Sequence, residues 1–232
     1  MSTSDLALEK RGDLAVVSPL SLDIDSLVNL IGSLDCSETP VLLFDLKDGT
    51  SLNFSGCFSR LFDVLSSCNF IVVSFIDGTV RDGVIELAIA SDLLFATDSS
   101  QILLTKIEKL DPSLLYYGLR FFGWVRFKEL LFLGILGVDK LRDCFNGVFE
   151  NRKTFEVEFE KVKREILELN PRGVLATKKV ISWSYGMGFE SALLLEKDVF
   201  TYIFGREETK DSLNSFLLRE KQKFERRFCN EV

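Results

Sequence analysis

Residues 75–92 read FIDGTVRDGVIELAIASD and hold one carboxylate, Glu86, inside an otherwise apolar run, with Asp82 four residues before it and Asp92 six after. A glutamate so placed is either a polar residue on the surface of an amphipathic helix or a carboxylate kept in an apolar pocket to move protons. In the second case, partial desolvation between Ile85 and Leu87 would raise its pKa toward working pH, as general acid–base chemistry requires. The chain has no histidine. That excludes Ser-His-Asp and Cys-His nucleophilic catalysis and the common zinc sites. Any chemistry must come from carboxylates, tyrosines, lysines or backbone amides, and no metal is expected.

Other features narrow the field. The five cysteines form no CxxC pair and are odd in number, so they read as small reduced residues. The net charge of −7 argues against nonspecific nucleic-acid binding. The longest apolar run, LLFLGILGV (130–138), falls far short of the roughly 18–20 residues that cross a bilayer. The opening MSTSDLALEKRGD has neither the basic nor the apolar region of a secretory signal, so a cytoplasmic protein is expected. GMGFES (186–191) lacks GxGxxG spacing and follows no strand, and is set aside as a nucleotide loop.

The elements that must position Glu86 alternate. LAVVSPL (14–20), VLLFDL (41–46) and FIVVSFI (70–76) are strand-like, the last apolar throughout, as a parallel strand buried on both faces would be. Between the first two, Ile24, Leu27, Val28 and Ile31 recur at helical spacing, giving a βαβ unit. VIELAIAS (84–91) reads as an apolar helix. Farther on, Phe155, Phe159, Val162, Ile166 and Leu169 form one stripe of a helix that Pro171 is expected to stop. A last helix is expected at about 207–228, with Leu213, Phe216, Leu217 and Phe224 on one side. The fold class is α/β, with a core over 1–165 and a helical region over 166–232 in one structural unit.

The order of these segments resembles the crotonase superfamily, the enoyl-CoA hydratase and isomerase family. There a buried strand runs through a GGG turn into a helix carrying ELA, with an aspartate six positions beyond the glutamate. Gly78, Gly83, Glu86, Leu87, Ala88 and Asp92 take those places without a gap. NFSG (53–56) looks like a shortened FCAGAD loop. LLFLG (130–134) with FNGVF (145–149) looks like the LLLTG…GLV stretch, and ATKKVI (176–181) and FLLREKQKF (216–224) look like the lysine segment and the FLEKRKPKF ending.

The resemblance implies a spiral of ββα turns, a C-terminal helical trimerisation region and a homotrimer or hexamer. It implies an acyl-thioester substrate whose carbonyl oxygen is held by two backbone amides as it becomes an enolate, with no further cofactor. One amide maps to Gly83 and its partner to Ser55 or Gly56. Glu86 maps to one of the hydratases' two catalytic glutamates, though a carboxylate favoured by the helix dipole would look the same. Gly83 equally permits a tight turn.

The chain departs from the pattern at the second glutamate, where it has Thr105 and Lys106, with Glu108 the nearest carboxylate. Asp82 and Val84 also flank Gly83 in place of two of the family's glycines, with Arg81 preceding them. Asp82 reads as a cap of the following helix, a replacement acid or base, or an obstruction, the cap being favoured. Tyr117, beside Tyr116, offers a phenol that donates to an acyl substrate or simply packs.

Two classes remain. One is an enzyme acting on acyl thioesters, by hydration, dehydration, isomerisation or decarboxylation, with the substrate on coenzyme A or on the phosphopantetheine arm of an acyl carrier protein in polyketide biosynthesis. The other is a crotonase-like structural or regulatory subunit without activity. The loop SPLSLDIDSL (18–27) keeps Pro19 but lacks the asparagine-alanine pair that cradles adenine in the family, and its Asp23 and Asp25 would repel phosphates. Arg219, Lys221 and Lys223 would offset that repulsion or grip an acidic carrier protein.

Overall fold

The computed structural model describes residues 6–19, 21–53, 58–104 and 112–205 of the 232-residue chain. It divides into two compact units, Met1–Pro171 and Arg172–Val232. No helix among the described residues is long and apolar enough to cross a membrane.

The first unit is built by repeating one pattern: a long strand, a short strand, a helix. The first turn is β2 (Leu14–Pro19), β3 (Ser21–Asp23) and α1 (Ile24–Ser33), and the second is β4 (Val41–Lys47), β5 (Ser51–Asn53) and α2 (Phe58–Ser67). The third is β6 (Ile71–Asp77), β7 (Thr79–Arg81) and α3 (Gly83–Ala90), and the fourth is β8 (Leu93–Thr97), β9 (Gln101–Leu103) and α4 (Pro112–Leu133), which bends at Gly123. β1 (Leu6–Arg11) precedes them. β10 (Ile135–Gly137), a 3-10 turn (Val138–Cys144), β11 (Gly147–Phe149) and α5 (Arg152–Glu168) follow.

The long strands form a six-stranded sheet in the order β1-β2-β4-β6-β8-β11, parallel except for the edge strand β1, which pairs antiparallel with β2. The short strands stack into two smaller sheets, β3-β5 and β10-β9-β7. Because successive side chains of a strand point to opposite faces, each long strand feeds two cores. Leu42, Phe44 and Leu46 of β4, with Val72 and Ile76 of β6, pack with α1, α2, α3 and α4. Leu43, Val73, Phe75 and Phe95 pack on the other face beneath Phe155 and Phe159 of α5. Phe75 and Phe155 stack with ring centroids 3.7 Å apart.

Two expectations need adjusting, and one strand was not expected. β1 carries Glu9, Lys10 and Arg11 and has no apolar alternation to announce it; Arg11–Leu14 closes the hairpin through Gly12 at φ +61. Pro171 does not stop α5, which ends at Glu168 with Leu169 as its C-cap; it opens α6 (Pro171–Ser184), at the first helical position, where a missing N–H costs nothing. Leu169, having left the helix, is exposed rather than part of the stripe. The second unit continues through α6 and α7 (Phe189–Phe204), on which Ile181, Trp183, Phe189, Leu193, Leu194 and Tyr202 are exposed. The expected helix over 207–228 lies outside the described residues.

Candidate active site

The third turn of the spiral carries Glu86, and its corner is pinned from three sides. Gly78, just after β6, has φ +115, and a Cβ there would lie 2.6 Å from the Asp48 carboxylate, so only glycine fits. Asp48 accepts the Thr79 N–H at 2.6 Å. Ser100 accepts the Gly78 N–H at 3.0 Å while donating to the Ile76 carbonyl at 3.0 Å. At the helix end, Ser91 donates to Leu87 O and pairs with the buried Ser74 at 2.7 Å, and Asp92 accepts Val72 N–H at 2.8 Å. Asp92, matched on sequence, thus ties the end of α3 back to the start of β6.

Between these anchors α3 is buried at all eight positions, packed against α2, α4, β5 and β7. Glu86 is 3 % exposed, which removes the reading of a surface residue on an amphipathic helix. Gly83 is the first residue of the helix, and Glu86 lies three residues on, about 4.5 Å along the axis. The Gly83 N–H belongs to the first turn, where amides have no partner within the helix, and no acceptor for it is found among the described residues. A buried carboxylate therefore sits one turn above an amide at the positive end of the helix dipole. This pairing can stabilise a developing oxyanion at one end and move a proton at the other.

Asp82 corrects the expectation of a cap. It occupies the N-cap position, but at φ 41 and ψ −108 its side chain makes no capping hydrogen bond. A capping residue is normally extended, which turns its oxygen onto the N2 or N3 amide. Asp23 and Asn151 show that geometry, accepting from Ser26 N–H at 2.8 Å and Thr154 N–H at 3.0 Å. Asp82 instead bends the chain from β7 into α3, its N–H on Leu103 O at 3.2 Å and its carbonyl on Ile85 N–H at 2.9 Å. It is the sole non-glycine residue with positive φ among the described residues. A glycine conformation is thus held by an aspartate beside the Gly83 amide.

Tyr117 lies on α4, half-buried, its ring 5.3 Å from Phe58 and 4.6 Å from Phe62 of α2 and 5.3 Å from Tyr116. Burial, with smaller contributions from Asp63 and Tyr116, raises its pKa above the usual phenol value, so it remains a protonated donor. Helix α3, which carries Gly83 and Glu86, packs on both α2 and α4, the two helices of this aromatic cluster.

Ser55, Gly56, Thr105, Lys106, Glu108, Arg219, Lys221 and Lys223 lie outside the described residues. β5, which leads into 54–57, does pack on α3. The two carboxylates expected to repel phosphates have local work: Asp23 caps α1, and Asp25 pairs with Arg60 at 2.9 Å.

One cluster escaped the sequence reading. Arg152, the first residue of α5, donates to both oxygens of Asp45 at 2.8 and 3.1 Å and to Asp77 at 2.8 Å. Burial alone would lower its pKa, but the two carboxylates outweigh that and raise it. Asp45 breaks the apolar alternation of VLLFDLK, which is a signal; its partner, 107 residues away, gives none.

Neither a family model nor a curated protein sequence matches this chain. Solved structures do. An enoyl-CoA hydratase/isomerase from Marinobacter aquaeolei is similar with a TM-score of 0.77 at 13 % identity, covering 93 % of this chain and 97 % of that one. An enoyl-CoA hydratase from Thermoplasma volcanium gives 0.76 at 17 % identity over 91 % and 96 %. A methylmalonyl-CoA decarboxylase gives 0.68 at 17 % identity over 94 % and 97 %. The stacked ββα turns are the crotonase fold, over nearly the whole length of these neighbours.

Proposed function

We propose that this crotonase-fold protein acts on acyl thioesters through an enolate, in hydration, dehydration, isomerisation or decarboxylation. The observation that carries the reading is the pairing on α3: an N-terminal amide at Gly83 and a 3 % exposed carboxylate at Glu86 three residues later. The thioester oxygen would sit on the Gly83 N–H and on a second amide from Ser55 or Gly56. One such donor is worth on the order of 100- to 1000-fold in rate. Glu86 would remove or deliver the proton at the adjacent carbon. Asp82 would serve as the second acid or base in place of the carboxylate missing at Thr105 and Lys106, and Tyr117 as a neutral donor toward the acyl group. The similar structures include an enoyl-CoA hydratase, an enoyl-CoA hydratase/isomerase and a methylmalonyl-CoA decarboxylase, which supports an acyl-thioester substrate.

The substrate would be an acyl-CoA or an acyl group on a carrier protein, the latter placing the reaction in polyketide assembly. No separate cofactor would take part. The exposed apolar side chains of α6 and α7 support a homotrimer or hexamer, because patches of that kind are usually covered in an assembly.

The test is steady-state turnover by the purified chain on a panel of short enoyl, 3-hydroxyacyl and malonyl thioesters, on coenzyme A and on carrier protein. Activity on one class is expected, and Glu86→Gln should lower kcat at least about 100-fold with an unchanged circular dichroism spectrum. Activity that survives Glu86→Gln would remove Glu86 from the mechanism. Absence of turnover on every substrate would favour the second reading, a subunit without catalysis.

A further inference from the structure

The α5 face of the large sheet holds a cavity of about 420 Å³. It is separate from the thioester site, because α3 packs in the core on the opposite face of the same strands. Its size falls in the range of small-molecule pockets, roughly 300–1,000 Å³. Strand alternation builds it. Leu14 and Val16 of β2, Leu43 of β4 and Phe75 of β6 form an apolar floor, walled by Phe155 and Phe159 of α5. The same alternation, carried to the strand ends, places Ser18, Asp45 and Lys47 at one rim.

The charges decide what such a cavity accepts. Its lining has four carboxylates, Glu9, Asp45, Glu156 and Glu160, and three cations, Arg11, Lys47 and Arg152. Every cation is already committed: Arg11 to Glu9 at 2.7 Å, Lys47 to Asp45 at 2.9 Å, Arg152 to Asp45 and Asp77 at 2.8 Å. Glu160 pairs with Lys163 at 2.9 Å. Glu156 alone of the four carboxylates forms no ion pair among the described residues. An anionic ligand would have to break one of these pairs, whereas a cation meets a carboxylate that is ready for it.

We propose that this cavity is a binding site for a small organic cation, a primary amine or guanidine with an aromatic or short aliphatic body. The body rests on Leu14, Val16 and Leu43, and the charged head sits on Glu156 at the mouth. The site is independent of the thioester chemistry, so its occupant is neither substrate nor product of that reaction.

Titration calorimetry of the full chain tests this with 2-phenylethylammonium as probe and 2-phenylethanol as its neutral counterpart. One-site binding of the ammonium is expected, with affinity about tenfold above the alcohol, the size of one charge-assisted contact. Glu156→Gln, a change at an exposed helix position, should erase that tenfold difference, while Glu86→Gln should leave it unchanged. No heat from the ammonium at concentrations up to about 10 mM, where even a feeble site responds, would overturn the proposal. So would equal affinity for the two probes, binding unaffected by Glu156→Gln, or binding lost with Glu86→Gln.

Discussion

Replacing Asp82 with glycine should make the protein more stable and less active. At φ 41 and ψ −108 the residue holds a conformation that side chains with a Cβ seldom adopt. Such backbone strain costs about 1–3 kcal/mol. Glycine relieves it but gives back about 0.5–1 kcal/mol through the greater freedom of the unfolded chain. From the backbone alone the difference is a stabilisation of up to about 2.5 kcal/mol, and no cap is lost with it, since the Asp82 side chain makes no capping hydrogen bond. For a chain of this length each kcal/mol moves the midpoint about 2–4 °C, so melting should rise by up to about 10 °C. Asp82→Ala separates strain from charge: alanine keeps the Cβ and loses the short polar side chain that eases left-handed backbone, so it should melt below Asp82→Gly. Both variants remove the carboxylate and should lower kcat together if Asp82 is the second acid or base. Differential scanning calorimetry reads the first effect and steady-state kinetics the second. A glycine variant that melts at or below the parent would refute the strain argument, and unchanged kcat in both variants would refute the chemical one.

Free coenzyme A should bind with a dissociation constant above about 100 μM, because SPLSLDIDSL lacks the adenine-cradling pair; low-micromolar binding by calorimetry would restore an ordinary CoA enzyme. Light scattering at micromolar concentration should report three or six copies, and a monomer would leave the apolar α6 and α7 surfaces unexplained. Lys163 gives a pH signature. Burial alone would lower its pKa, but Glu160 at 2.9 Å and Asp13 at 3.4 Å outweigh that and raise it above the ordinary lysine value. Its contribution to stability is therefore complete below the unfolded-chain value and declines as pH rises through the folded one. Denaturant midpoints should fall more steeply above about pH 10.5 in the parent than in Lys163→Met, and parallel curves would contradict this.

Elements with strong periodicity were legible in the sequence: β2, β4 and β6 each announce themselves as short apolar runs, and α1 by its recurring Ile24 and Leu27. Glu86 stood out as the one charge amid VIELAIA. What was lost depended on tertiary placement. β1 is a charged edge strand, recognisable only through its pairing with β2. Pro171 punctuates equally well as an end or a start, and the chain decides by where α5 has already stopped. Asp82 could be called a cap from residue type alone, because dihedral angles are not written in a sequence. The Arg152 cluster joins three elements whose residues are far apart along the chain.

Helix α3 has no face toward water. An ordinary surface helix can vary its polar side freely while its apolar side holds the fold, so packing and chemistry are adjusted at different positions. Here Gly83 and Glu86 share eight consecutive buried residues with Val84, Ile85 and Leu87, which are fully or almost fully enclosed. A substitution that improves the core must also move the amide or the carboxylate, and one that retunes the chemistry must also repack the core. Directed evolution of this site should therefore advance through paired substitutions, each tolerated only in the company of the other, rather than by single independent steps.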